Sequence, residues 1–203
     1  MPQPISEDFP LVLGSASPRR REILSNLRIA IRILPADIVE TVHPGEPPLL
    51  YIERIAAEKL AAVADRVRGE ACAGLLVADT IVVVDGEVLG KPSDPSDAER
   101  LLQKLCGREH AVHTRYAIAA PDGTPIVART VTSAVWLRAA SPAEIAGYAR
   151  TGEGLDKAGA YAIQGIGSFL VERMAGSYSS VVGLPACEVV RDLVSAGLLA
   201  SYP

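Results

Sequence analysis

Apolar positions along this chain change period several times, and each change predicts an element. Leu11-Val12-Leu13 is a short apolar run that ends in Gly14-Ser15, a strand feeding a turn. Ser17-Pro18 then opens a helix carried to about Leu27. Serine suits the N-cap, and proline suits the first helical position because its missing N–H would be unpaired there anyway. Residues Ile29 to Leu34 alternate as a strand, and residues 35 to 48 form a proline-bearing acidic loop. From Leu49 to Val67, apolar residues at Leu49, Ile52, Ile55, Ala56, Leu60 and Val63 keep a helical period. Leu75 to Val84, LLVADTIVVV, reads as a buried strand, and the Asp85-Gly86 turn returns the chain through Leu89.

The second half of the chain reads by the same rules. Ser96-x-x-Glu99 predicts a capping box for a helix running to about Cys106, with Gly107 as its stop. Strands over Ala111 to Ala120 and Thr124 to Leu137 flank the turn Pro121-Asp122-Gly123. Ser141-Pro142-Ala143-Glu144 is a second capping box, for a helix ending near Thr151-Gly152. A Gly-rich segment from Gly154 to Gly167 leads to a strand over Phe169 to Glu172. A loop from Gly176 to Leu184 and a last helix from Pro185 to Ala196 complete the series. βα units mixed with a hairpin predict an α/β fold, a mixed sheet flanked by helices.

At 203 residues the chain fits a single domain, residues 1–203, with residues 1–9 expected as a flexible tail. Twenty basic residues against 24 acidic ones leave a net charge of −4, and aromatics are 4% of the chain. Both argue against nucleic acid as a partner. Three cysteines, Cys72, Cys106 and Cys187, lack metal-ligand spacing and are expected as reduced, mostly buried thiols in a cytoplasmic protein. No signal peptide and no membrane-spanning apolar run are evident.

The candidate chemistry begins in the first turn. Arg19 and Arg20 sit at the positive end of a helix dipole, where each cation normally costs roughly 0.3–1 kcal/mol. A polyanion such as phosphate would offset that cost. The same turn is also an ordinary strand-to-helix connection, and it is neither a P-loop nor G-x-G-x-x-G. Asp79 interrupts an apolar strand, and an unpaired buried carboxylate there would cost several kcal/mol. It either caps a neighbouring turn or is held to bind metal or activate water. Thr80 points to the opposite face of the same strand.

Lys59 on a helix reads by itself as a solvated surface residue. Together with Lys91, Lys157, Arg19 and Arg20 it could supply a triphosphate clamp. Glu40 and Asp37, in the acidic loop, are candidates for a second carboxylate beside Mg²⁺. Gln164 offers an amide donor and acceptor that match the N3–H and O4 edge of uracil or thymine, provided the amide is locked against flipping. Histidines His43, His110 and His113 show no ligand spacing, and G-x-S-x-G is absent.

Seven blocks in order resemble the Maf family of nucleoside triphosphate pyrophosphatases. They are SASPRR from Ser15, the loop ending in Glu40, EKL around Lys59, ADT from Ala78, GKP from Gly90, DKAGAYAIQG from Asp156 and GSYSSVVGLP from Gly176. The resemblance implies an elongated mixed sheet with a central cleft, similar to inosine triphosphatases, and a homodimer. It implies hydrolysis of dTTP and UTP to the monophosphate and pyrophosphate with a divalent cation, Mg²⁺, Mn²⁺ or Co²⁺. Asp79 would be the proton acceptor, Asp79 and Glu40 the metal ligands, and Lys59 and Lys91 further catalytic groups. Ser15, Ser17, Arg19, Arg20, Thr80, Lys157 and Gln164 would bind substrate. A 7-methyl-GTP pyrophosphatase and a nucleotide-sensing regulator of septum formation are the alternatives. The set Asp79, Glu40, Lys59 and Lys91 favours turnover, since a sensor needs no water-activating carboxylate. Ala16 and Gly90 depart from the commoner family residues without removing a candidate catalytic group.

Overall fold

The computed structural model describes residues 3–203. Among these, seven strands form one mixed sheet with the order β2-β1-β3-β5-β6-β7 and β4 on β3. The strands are β1 (Leu11–Leu13), β2 (Ile31–Ile33), β3 (Gly74–Val84), β4 (Glu87–Leu89), β5 (Glu109–Ala119), β6 (Pro125–Leu137) and β7 (Val171–Ala175). The helices are α1 (Pro18–Asn26), α2 (Pro48–Arg66), α3 (Pro95–Leu105), α4 (Pro142–Ala149), α5 (Tyr178–Val182) and α6 (Ala186–Ser195). The α/β expectation holds.

The chain divides into two compact units. One takes in the chain to Asp79, Thr114–Thr130 and Gly183–Pro203; the other takes in Thr80–His113 and Val131–Val182. In the first unit β1 pairs in parallel with β2 and with β3, Leu11 opposite Ile31 and Gly74. The apolar stripe of α2 packs Leu60 and Val63 with Val12, Leu75, Val77, Ala117 and Ala119. Gly14 lies where chain, helix and sheet meet. A Cβ there would stand 2.7 Å from both Val63 Cγ2 and Val77 Cγ1, so only glycine lets the turn after β1 pass.

The C-terminal helix α6 is tied to the same unit by a buried polar group. The Tyr116 hydroxyl donates to Asp192 in a very short bond, and Arg129 donates to both Asp192 oxygens at 3.1 and 2.9 Å. Burial pulls Asp192 toward its neutral form, but Arg129 and Tyr116 outweigh it and keep the carboxylate below its usual pKa. Of the expected N-terminal tail, residues 1 and 2 lie outside the described residues, and Ile5 N–H donates to the Leu198 carbonyl (2.9 Å).

In the second unit, β3 continues into an antiparallel hairpin with β4, and β6 pairs antiparallel with β7. Its core gathers Val82, Leu101, Leu102, Leu105, Val112, Val135, Ile145, Tyr148 and Tyr161. Several local expectations need correction here. Helix α3 is capped by Asp94, whose side chain accepts from Asp97 N–H, and not by Ser96. Pro95 at the first helical position holds Asp94 extended, which starts the helix two residues early. Strand β7 begins at Val171 because Ile166–Leu170 forms a 3₁₀ turn, and the expected loop after Gly176 contains α5. The Ser141 capping box is present as expected. Of the three free thiols, Cys72 is buried, Cys106 half-buried and Cys187 exposed, so burial is not general. No helix among the described residues is long and apolar enough to cross a membrane.

Candidate active site

Five sequence-predicted residues converge in the first unit: Ser15, Arg20, Glu40, Lys59 and Asp79. Asp79 lies on β3, 7% exposed, and its carboxylate is not unpaired. Lys59 Nζ donates to Asp79 Oδ1 at 2.7 Å and reaches Glu40 Oε1 at 2.7 Å. One ammonium therefore bridges two carboxylates. The reading of Lys59 as a solvated helix residue is corrected, since it is 6% exposed. The signal was present in the spacing: Tyr51, Ile55 and Lys59 follow one another at i, i+4 and i+8 on the buried face of α2.

Arg20 is the second buried cation. Its Nε donates to the Gly183 carbonyl (2.8 Å) and its Nη1 to Ser15 Oγ (2.9 Å). Burial pulls this guanidinium below its ordinary pKa, opposed by the charge of Asp79. The Ser15 hydroxyl also accepts from Ser17 N–H (3.2 Å). Ser17 does occupy the N-cap of α1, with Pro18 at the first helical position, but its side chain makes no capping bond. The Ser15 oxygen satisfies a backbone donor just ahead of the helix. The first turn of α1 contains no acidic residue, and Arg19 there is half-buried.

Three contributors were missed by sequence reasoning. Gly183 lies 163 residues from Arg20 in the chain, and nothing local marks its carbonyl as a partner. Tyr51 is buried, and burial with the charges of Asp79 and Glu40 pushes its hydroxyl up to about 12, so it stays protonated. The third is a clamp on the acidic loop. Arg54 donates to Glu46 Oε1 and Oε2, both at 2.7 Å, and to the Thr41 carbonyl at 2.9 Å, next to Glu40. The Arg54 bonds and the His43 N–H hold Glu46 down at about 2, so the clamp stays ionised at neutral and mildly acidic pH. Asp37 is exposed in the same loop.

Thr80, Lys91, Lys157 and Gln164 belong to the second unit. Thr80 and Gln164 are half-buried and Lys91 is exposed. The Gly90 carbonyl accepts from Gly159 N–H (3.1 Å), which joins the Gly90-Lys91-Pro92 turn to the segment carrying Lys157. Lys157 Nζ donates to Asp156 Oδ1 (2.6 Å) and to the Glu153 carbonyl (2.5 Å). It is bound into its own loop.

The donor set of the first unit fits a hard divalent cation. Mg²⁺ uses one or two carboxylates and leaves its other positions to water and substrate phosphate. Asp79 and Glu40, drawn to one ammonium, supply that number. Among the described residues no group of three or more His, Cys, Asp or Glu side chains forms a fuller cage.

Comparison with known proteins gives the family. A family model described as Maf-like protein matches residues 10–196. A protein of Geobacter metallireducens named dTTP/UTP pyrophosphatase is 47% identical over 193 residues, 95% of this chain and 99% of the relative. One of Myxococcus xanthus with the same name is 50% identical over 188 residues, 93% of each chain. A solved structure titled nucleoside-triphosphatase / dITP/XTP pyrophosphatase, from Mycobacterium abscessus, superimposes with a TM-score of 0.38 at 15% identity. It covers 64% of this chain and 73% of that one, and at that score carries no argument. With the family model spanning almost the whole chain and its relatives near half identity, this protein belongs to the Maf family.

Proposed function

We propose that this chain is a nucleoside triphosphate pyrophosphatase that hydrolyses dTTP and UTP to the monophosphate and pyrophosphate. The observation that carries the reading is the buried Lys59 bridge between Asp79 and Glu40, beside the buried Arg20. A structural ion pair would need one carboxylate; two carboxylates on one ammonium, with a second cation near, suit a polyphosphate and its counter-ion. The names of the relatives support the substrate class.

In this reading water attacks the α-phosphorus, Asp79 takes its proton, and the α–β bridging oxygen leaves with the pyrophosphate. Lys59 holds the Asp79 carboxylate in place, and once that carboxylate has taken the proton the ammonium is still balanced by Glu40. Arg19 and Arg20 neutralise phosphate charge, with Ser15 fixing the Arg20 guanidinium and Ser17 contributing at the turn. A divalent cation held by Asp79 and Glu40 would polarise the phosphate oxygens. Roles for Lys91 and Lys157 at phosphate, and for Arg19, Thr80 and Gln164 in base preference, rest on their sequence motifs. A homodimer and a link to septum formation belong to the same proposal through the family resemblance, and a cytoplasmic location through the reduced cysteines expected from the sequence.

The test is a panel of triphosphates assayed for pyrophosphate release with Mg²⁺, Mn²⁺ or Co²⁺. A site that hydrogen-bonds one base edge leaves its own polar groups unpaired against another, so UTP and dTTP should exceed CTP by about tenfold or more in kcat/KM. The 5-methyl group of thymine should matter little, being worth about 1 kcal/mol. A preference for 7-methyl-GTP over UTP would overturn the substrate assignment, and binding without turnover would favour a sensor.

A further inference from the structure

Gln164 can discriminate bases only if its amide is held in place, and the residues that hold its segment are visible. Glu153 follows α4 by a few residues and turns its carboxylate into the backbone of 162–167. Its Oε1 accepts from Ile166 N–H and its Oε2 from Gly167 N–H, both at 2.8 Å. The Tyr148 hydroxyl donates to the same Oε2 (2.8 Å) and accepts from Ala162 N–H (3.1 Å). Three backbone donors, one before and two after Gln164, thus end on one phenol–carboxylate pair.

The glycines on the far side of Gln164 make this approach possible. Gly165 has φ +93°, and a Cβ there would stand 2.3 Å from Glu153 Oε1. A Cβ on Gly167 would stand 2.5 Å from the Tyr148 oxygen. The backbone is therefore built to close on this pair, at positions where a side chain would push it off. Burial works against ionisation of Glu153, but the N–H donors of Gly167 and Ile166 outweigh it, and the carboxylate stays charged. Tyr148, 3% exposed, has its hydroxyl pushed up chiefly by burial and remains a donor.

We infer that Glu153 and Tyr148 are positioning residues for base selection, gripping the backbone on both sides of Gln164 so that its amide meets only one base edge. The inference rests on the reading of Gln164 as the base contact given above. Neither residue touches the base. They act by fixing where the amide starts from, and a misplacement of about 1 Å can cost roughly 10²-fold in rate.

The test uses full-length Glu153→Gln and Tyr148→Phe, each compared with wild type in three measurements. The first is kcat/KM on UTP and CTP; the second is inhibition by inorganic tripolyphosphate, which has no base; the third is amide exchange at Ile166 and Gly167. The expected result is a UTP:CTP ratio that collapses to within about threefold, with UTP itself losing roughly 10–100-fold. Tripolyphosphate inhibition should stay within about twofold, and the two amides should exchange faster in Glu153→Gln. Two results overturn the inference: a wild-type UTP:CTP ratio in either folded variant, or equal loss toward UTP, CTP and tripolyphosphate, which marks a merely structural pair. Should Glu153→Gln fail to fold, Tyr148→Phe, which keeps the carboxylate, decides by the same ratio. A wild-type protein that releases no pyrophosphate from any pyrimidine triphosphate defeats the functional reading instead. The amide exchange then still decides whether the pair grips the segment.

Discussion

Asp79→Asn should lower kcat for UTP by about 10²–10⁴, the usual worth of a general base, while the fold is retained. Asparagine keeps the shape of the side chain and an oxygen that can still accept from Lys59 Nζ, now at 2.7 Å. It cannot take a proton from water at neutral pH and is a poor ligand for a hard cation. The variant should also melt lower than wild type. An isolated buried carboxylate would be a burden relieved by the change, but Asp79 is paired. Its loss leaves the buried Lys59 ammonium balanced by Glu40 alone, whose side chain is 38% exposed. A penalty of roughly 1–3 kcal/mol is expected from weakening one charged hydrogen bond in a buried site. Steady-state turnover and a thermal melt on the same preparation check both parts. Turnover within a factor of a few of wild type would remove Asp79 from the chemistry.

Lys59→Met should have the largest effect on stability. The thioether side chain fills a similar volume, so what changes is the charge. Asp79, with a side chain 10% exposed, would face Glu40 with no cation between them. Removing one partner of a buried ion pair typically costs about 3–5 kcal/mol, and the partial exposure of Glu40 places this site toward the lower end. Millimolar Mg²⁺ should return part of the loss, because a dication can take the place of the ammonium between the two carboxylates. Turnover should fall by roughly 10²-fold or more as Asp79 loses the group that orients it. Denaturant unfolding with and without Mg²⁺ measures this directly. Equal stability of variant and wild type would mean that the bridge contributes nothing. A variant no more responsive to Mg²⁺ than wild type would mean that the pair does not hold the cation.

Much of the fold was legible because its signals are local. Pro18 at the head of α1 and the buried stripe of α2 each depend on neighbours within a few residues. Asp79 stood out for a similar reason, a charge inside an apolar strand. The site was less legible because its bonds are not local. Lys59 looks like any helix lysine until its place on the apolar face is counted, and its partner Glu40 lies in a loop that has no period to read. The Gly183 carbonyl that holds Arg20 and the Arg54–Glu46 clamp leave no mark on their own segments. Local rules also competed with one another. At α3 both Asp94 and Ser96 are good caps, and Pro95 decides between them by fixing the residue before it. At α1 the serine in the N-cap position makes no side-chain capping bond, and its N–H goes instead to the Ser15 hydroxyl.

The proposed hydrolysis cuts the triphosphate at its α-phosphorus, and isotope labelling tests that most directly. In ¹⁸O-enriched water with UTP and a divalent cation, attack at the α-phosphorus places the label in UMP and none in pyrophosphate. Label in the pyrophosphate would mean attack at the β-phosphorus, and labelled orthophosphate would mean an ordinary phosphatase; either result contradicts the assignment of Asp79, Lys59 and Glu40 to pyrophosphate release.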